Sequence, residues 1–169
     1  MNRKYKSRES VNRWKCRAAE YLVLFLIGYC IYLAIEVTYR GFSYRLMGLS
    51  GGAALMGIGI LKDLGLDEFS LPVQMMVGAV LITALELYSG MYALLVLNVR
   101  MWDYRGIWMS QCQGLICPLF SFLWFLLSGV GIVVADVCDY YLFQGERRPI
   151  YRILGKKFAL PERKSVQSR

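Results

Sequence analysis

Four apolar runs separated by short polar stretches set the pattern of the chain. They cover Tyr21 to Tyr39, Leu46 to Leu61, Leu71 to Asn98 and Gly114 to about Val137. Runs of 18 or more apolar residues read as membrane-spanning helices. The second run is the shortest and is rich in glycine, with Gly48 and Gly52 and then Ala53 and Gly57 at small-xxx-small spacing. Such pairs let helix backbones approach closely in lipid; a re-entrant segment is the other reading of this run. RGFSYR (Arg40 to Arg45) and KDLGLDEFS (Lys62 to Ser70) form the first two connections. Gly65 suits a helix stop, and Pro72 suits the first turn of the third helix. The predicted fold is all-α, a polytopic bundle of about four spans.

Charge settles the expected orientation. Of the 20 Lys and Arg residues, seven precede the first run, Lys62 lies between the second and third, and eight follow Gly145. The other four, Arg40, Arg45, Arg100 and Arg105, fall in the two opposite loops. By the positive-inside rule both termini are cytoplasmic. The chain divides into a basic N-terminal tail (1–17), a transmembrane domain (18–144) and a basic C-terminal tail (145–169). Hydrophobic residues make up 57% and mean hydropathy is +0.41, which places the chain among multi-pass proteins of the plasma (inner) membrane. The net charge of +8 sits in the tails, so anionic lipid is the expected partner and nucleic acid is not. In the C-terminal tail Tyr151, Ile153, Leu154 and Phe158 alternate with basic residues, as in an amphipathic segment on the membrane surface.

Ionisable residues inside or at the ends of spans are the candidates for function. Glu86, near the middle of the third run, is foremost. It is expected to face the bundle interior and to meet a polar partner, either an outer arginine (Arg40, Arg45, Arg100 or Arg105) or Glu36 through a shared proton or cation. Glu36 and Arg40, four apart, can pair on one helix face. The outer loop RMWDYRGIWMSQCQ adds Trp102, Asp103, Tyr104 and Arg105. Asp136 and Asp139, three apart at the inner end of the fourth run, read as a solvated helix end.

Much chemistry is excluded. There is no Walker A loop, GxGxxG fingerprint or HExxH helix, and with no histidine Ser-His catalysis cannot operate. The five cysteines form no CxxC pair, so no metal site is expected. Cys112 and Cys117, five apart at a helix start, are not expected to pair, and Cys30 and Cys138 fall in apolar runs, where cysteine is usually a small buried hydrophobe. No cofactor is indicated, and the chain is not expected to be an enzyme.

The stretch WDYRGIWMSQCQGLICPLFSFLW, Trp102 to Trp124, resembles the WDYS-to-NGRICLLFSLLW region of the putative ABC-transporter type IV family of bacterial membrane proteins. Glu36, Arg40-Gly41-Phe42 and Glu86 follow the family's acid, RGF and acid in order, and the resemblance covers about residues 21–143. It departs at RLMGLSGGAALMGIG, which lacks the family's proline and PIYG-like segment. The resemblance implies a permease-like subunit. Four helices make a thin pore wall, so a homo-oligomer, a partner membrane protein or a separate ATPase is expected with it. The alternative is a non-transporting assembly, sensory or envelope-interaction protein.

Overall fold

A computed structural model of the chain describes residues 3–143, 145 and 147–163, with side chains from Trp14 onward. The basic side chains before Trp14, and residues 164–169 of the C-terminal tail, lie outside the described residues. The chain is mostly helical: α1 (Arg3–Arg40), α2 (Arg45–Asp63), α3 (Leu71–Leu95) and α4 (Pro118–Val137), the last prolonged by a π-helical turn, Cys138–Leu142. Three helical segments, Trp14–Arg40, Leu71–Leu95 and Pro118–Leu142, are long and apolar enough to cross a membrane. The glycine-rich run is a helix too, α2, but is not one of those three.

Helix ends follow local chemistry. Gly65, at φ +97°, takes the left-handed conformation that closes α2, which glycine adopts without steric cost. Ser70 and Cys117 are extended just ahead of the first turns of α3 and α4, which carry Pro72 and Pro118; at Cys117 the ring of the following proline disfavours helix, and Pro72 sits in a first turn where its missing N–H costs no helical bond. Two boundaries differ from expectation. The third helix stops at Leu95 rather than Asn98, because Asn98 is left-handed at φ +52°. The fourth starts at Pro118 rather than Gly114, because Gln111 and Ile116 pair as an antiparallel bridge and the segment between them is a turn.

Helices α1 and α2 pack through glycine. A side chain at Gly52 would sit 2.8 Å from the backbone oxygen of Phe25, and Tyr29 covers Gly48. Helix α2 also packs closely on α3 and α4, whereas α1 and α4 meet through side chains, such as Tyr32 and Trp124, rather than by close backbone approach. One interior cluster joins Leu24, Leu55, Ile58, Ile132, Ala135 and Cys138; a second, towards the loop after α3, joins Met47, Ala93 and Met101. Apolar residues such as Val73, Met76, Val80, Phe122, Leu126 and Val130 face outward, as residues in contact with lipid do. Cys30 is exposed on this surface rather than buried, Cys138 is buried, and all five cysteines are unpaired. In the C-terminal segment the alternating residues form an antiparallel hairpin, β1 (Ile150–Ile153) with β2 (Lys156–Ala159). Its two-residue turn, Leu154-Gly155, has both φ values positive, the geometry that matches strand twist.

Candidate functional site

Helix α3 buries Gln74, Gly78, Ala79, Glu86, Ser89, Gly90 and Ala93, a stripe at helical spacing that faces the bundle. Glu86 is thus the acidic member of a face otherwise made of small and neutral residues, and it is 8% exposed. It lies nine residues before Leu95, about 14 Å below that helix end at a rise of about 1.5 Å per residue.

Its partners are aromatic. The Tyr104 hydroxyl donates to Oε1 at 2.9 Å, and the Trp124 indole N–H donates to Oε2 at 2.9 Å. Tyr104 stacks on Phe120 with centroids 4.3 Å apart, and Phe120 is followed by Trp124 and then Tyr32 at 6.4 Å each. Phe120 and Trp124, four apart on α4, share a face. The loop after α3 therefore folds back over the bundle rather than standing away from it. Gly90 leaves the slot that Trp102 and Leu115 fill. The Trp102 indole N–H then donates to the Leu115 carbonyl at 3.0 Å, and the Tyr104 N–H to the Gly114 carbonyl at 2.8 Å.

This arrangement corrects the expected partners of Glu86. Among the described residues neither Arg40, Arg45, Arg100 nor Arg105 forms an ion pair with it, and Glu36 does not share it. Arg40, Arg100 and Arg105 are engaged elsewhere. Arg40 pairs with Glu36 and donates to the Met101 carbonyl at 2.8 Å, which ties the end of α1 to the folded loop. Arg105 clasps Asp103 through Nε at 2.9 Å and through its backbone N–H at 3.0 Å, on the exposed surface. Those bonds hold the Asp103 carboxyl down at about 2. Glu86, Trp102 and Tyr104 come together; Asp103 and Arg105 face away from them.

Glu86, Trp102 and Trp124 line a cavity of about 110 Å³ together with Tyr32, Ser50 and Ser89. The rest of its wall is aliphatic or glycine. Trp124, as donor to Glu86, is the residue sequence reasoning left out of the site. The signal for it is that a tryptophan inside a span, away from the interfaces where its N–H finds water, needs an acceptor.

A second polar centre closes the other end of the bundle. Lys62 pairs with Asp136 at 2.7 Å and Asp139 at 2.9 Å. Arg17 reaches Glu20 at 3.0 Å, Asp63 at 3.1 Å and Asp139 at 3.5 Å. The Tyr21 hydroxyl donates to Asp63 at 2.6 Å. Asp136 and Asp139 are therefore buried members of a network that joins three helices, not a solvated helix end. Burial works against the Lys62 charge, but Asp136 and Asp139 outweigh it and raise the Lys62 pKa above its ordinary 10.5. Burial first, and Asp136 second, push the Tyr151 hydroxyl up as well. The sequence signal was present: three charge pairs, Arg17/Glu20, Lys62/Asp63 and Asp136/Asp139, fall at helix ends that the topology brings to one side.

A search of curated proteins found no match, and neither did a search of solved structures. The family model described as "Putative ABC-transporter type IV" matches residues 20–151, from the middle of α1 through the first residues of β1, and so takes in Glu86 and both its hydrogen-bond donors. By that match over most of its length, this membrane protein belongs to the putative ABC-transporter type IV family.

Proposed function

We propose that the chain is a permease-like, non-enzymatic subunit of the inner membrane, with Glu86 as its ionisable centre. In this reading α2 is a fourth crossing and both termini are cytoplasmic. Two features support that topology: α2 lies within the bundle, against three other helices, where it needs less lipid-facing apolar surface, and four crossings gather the basic tails and Lys62 on one side. The subunit works as a homo-oligomer or beside a separate ATPase, with anionic lipid at its basic tails.

One observation carries the functional part. Among the described residues four acids are buried: Glu20, Glu86, Asp136 and Asp139. Among the described residues, Arg17 or Lys62 pairs with each of the other three, and Glu86 has no cationic partner. An acid kept in a span without a counter-ion is costly, and it suits the uptake of a proton or cation. A non-transporting assembly or sensory role is the second reading. The inner network favours it, because a moving permease has to break or shift those ion pairs.

The test is flux. The full chain is reconstituted in liposomes holding a trapped pH dye, and a potential is imposed by a potassium gradient and valinomycin. Proton movement above that of empty liposomes, abolished by Glu86→Gln, is the expected result. Flux that is absent, or equal in the variant, sinks the role of Glu86 in transport.

A further inference from the structure

We propose that the Glu86 cavity is a binding site for a lipophilic organic cation, such as a quaternary ammonium group bearing an apolar substituent, which enters from the bilayer between α1 and α4. The inference rests on the permease-like reading of Glu86 and names the ligand class for it. Shape comes first. Ile31 and Ile35 of α1 and Val130 of α4 line the cavity and are exposed at its rim. Helices α1 and α4 meet through side chains such as Tyr32 and Trp124 rather than by close backbone approach, and beside that contact the exposed rim residues open the cavity sideways between two lipid-facing helices.

Charge selects a cation. Glu86 has no cationic partner among the described residues, while its two hydrogen bonds use only part of the acceptor capacity of an ionised carboxylate. Chemistry then selects an organic one. A hard metal ion asks for six or more oxygen ligands, and this wall offers Glu86 with the hydroxyls of Ser50, Ser89 and Tyr32 in an otherwise apolar lining. A quaternary ammonium carries its charge on carbon-clad nitrogen and asks for no such shell. Tyr32, Trp102 and Trp124 supply aromatic walls, and aromatic faces attract such cations most where water is excluded. A neutral lipid would fit the walls but leave the acid without a counter-charge.

The probe is benzyltrimethylammonium, titrated into the full chain in lipid nanodiscs and followed by tryptophan fluorescence, with empty nanodiscs as background. Its neutral isostere neopentylbenzene is the competitor. Two variants are compared. Glu86→Gln removes the charge but keeps an acceptor for Trp124 and a donor for the Tyr104 oxygen. Ala54→Leu fills the cavity from α2 and leaves Glu86 and both its donors in place. Expected is saturable binding that both variants weaken about tenfold or more, as loss of a charge contact or of the space should, with no competition from the neutral isostere. Absence of saturable binding, equal binding by Glu86→Gln, unchanged binding by Ala54→Leu, or equal competition by neopentylbenzene would each overturn the site. If Glu86→Gln fails to fold, the isostere and Ala54→Leu decide. Binding without flux would overturn the permease reading and leave the site; flux that depends on Glu86 without binding would overturn the ligand class alone.

Discussion

Glu86 is a carboxylate whose neighbours were chosen for hydrogen bonding rather than for charge. Trp124 and Tyr104 each give it one donor, and both donors lie where water is scarce. Glu86→Ala would leave an indole N–H and a phenol O–H without an acceptor, at about 1–3 kcal/mol for each buried orphan. Glu86→Gln should lose far less, because the amide oxygen accepts from Trp124 and the amide nitrogen donates to Tyr104. Thermal unfolding in detergent should rank the proteins wild type, then Glu86→Gln close behind, then Glu86→Ala well below; equal midpoints for Gln and Ala would count against this geometry. At this scale the sequence showed the acid and, in the WDY motif, one of its two donors. It did not show that the loop turns inward. That depends on Gly90 leaving room for Trp102, a contact between positions far from adjacent in the chain.

The helices themselves were legible from hydrophobic runs, because a span must satisfy its backbone internally and therefore declares its length in apolar residues. Their ends were legible to within a few residues where Gly65, Pro72 and Pro118 punctuate the chain. The hairpin at Ile150–Ala159 was not: its strands are only four residues each, and in so short a segment alternating basic and apolar residues suit a surface helix as well as a strand. Between elements, the decisive contact is Lys62, which joins α2 to the last turn of α4 and the π-helical turn that follows. Lys62→Met would leave Asp136 buried without its cationic partner, while Asp139 keeps Arg17, at about 3–5 kcal/mol, the usual cost of breaking one side of a buried pair. The pH dependence has a definite sign. The folded Lys62 pKa lies above its ordinary 10.5, so its contribution is complete below about 10.5 and is lost as pH rises through the folded value. Unfolding followed from pH 8 upward should show wild type losing stability in strong alkali and Lys62→Met showing a shallower loss; parallel curves would place the stabilisation elsewhere.

Across the whole molecule, basic residues crowd the tails while the Glu36–Arg40 pair and the Asp103–Arg105 clasp occupy the opposite loops. That asymmetry predicts an orientation. In a cysteine-free background, single cysteines at Ser43 and Met109 should react with a membrane-impermeant maleimide added outside, and one placed in the C-terminal hairpin should react only after the membrane is breached. The reverse pattern would overturn four crossings with cytoplasmic termini. The central claim is narrower: Glu86 is an exchangeable acid in a cavity open to the bilayer, not a carboxyl sealed in packing. Dicyclohexylcarbodiimide tests it most directly, since this apolar reagent reaches protonated carboxyls from lipid and leaves a stable acylurea detectable by peptide mass spectrometry. The predicted result is modification at Glu86, slowed by benzyltrimethylammonium and absent from Glu86→Gln. An unmodified Glu86 in folded protein, across the pH range in which the reagent is active, would contradict it.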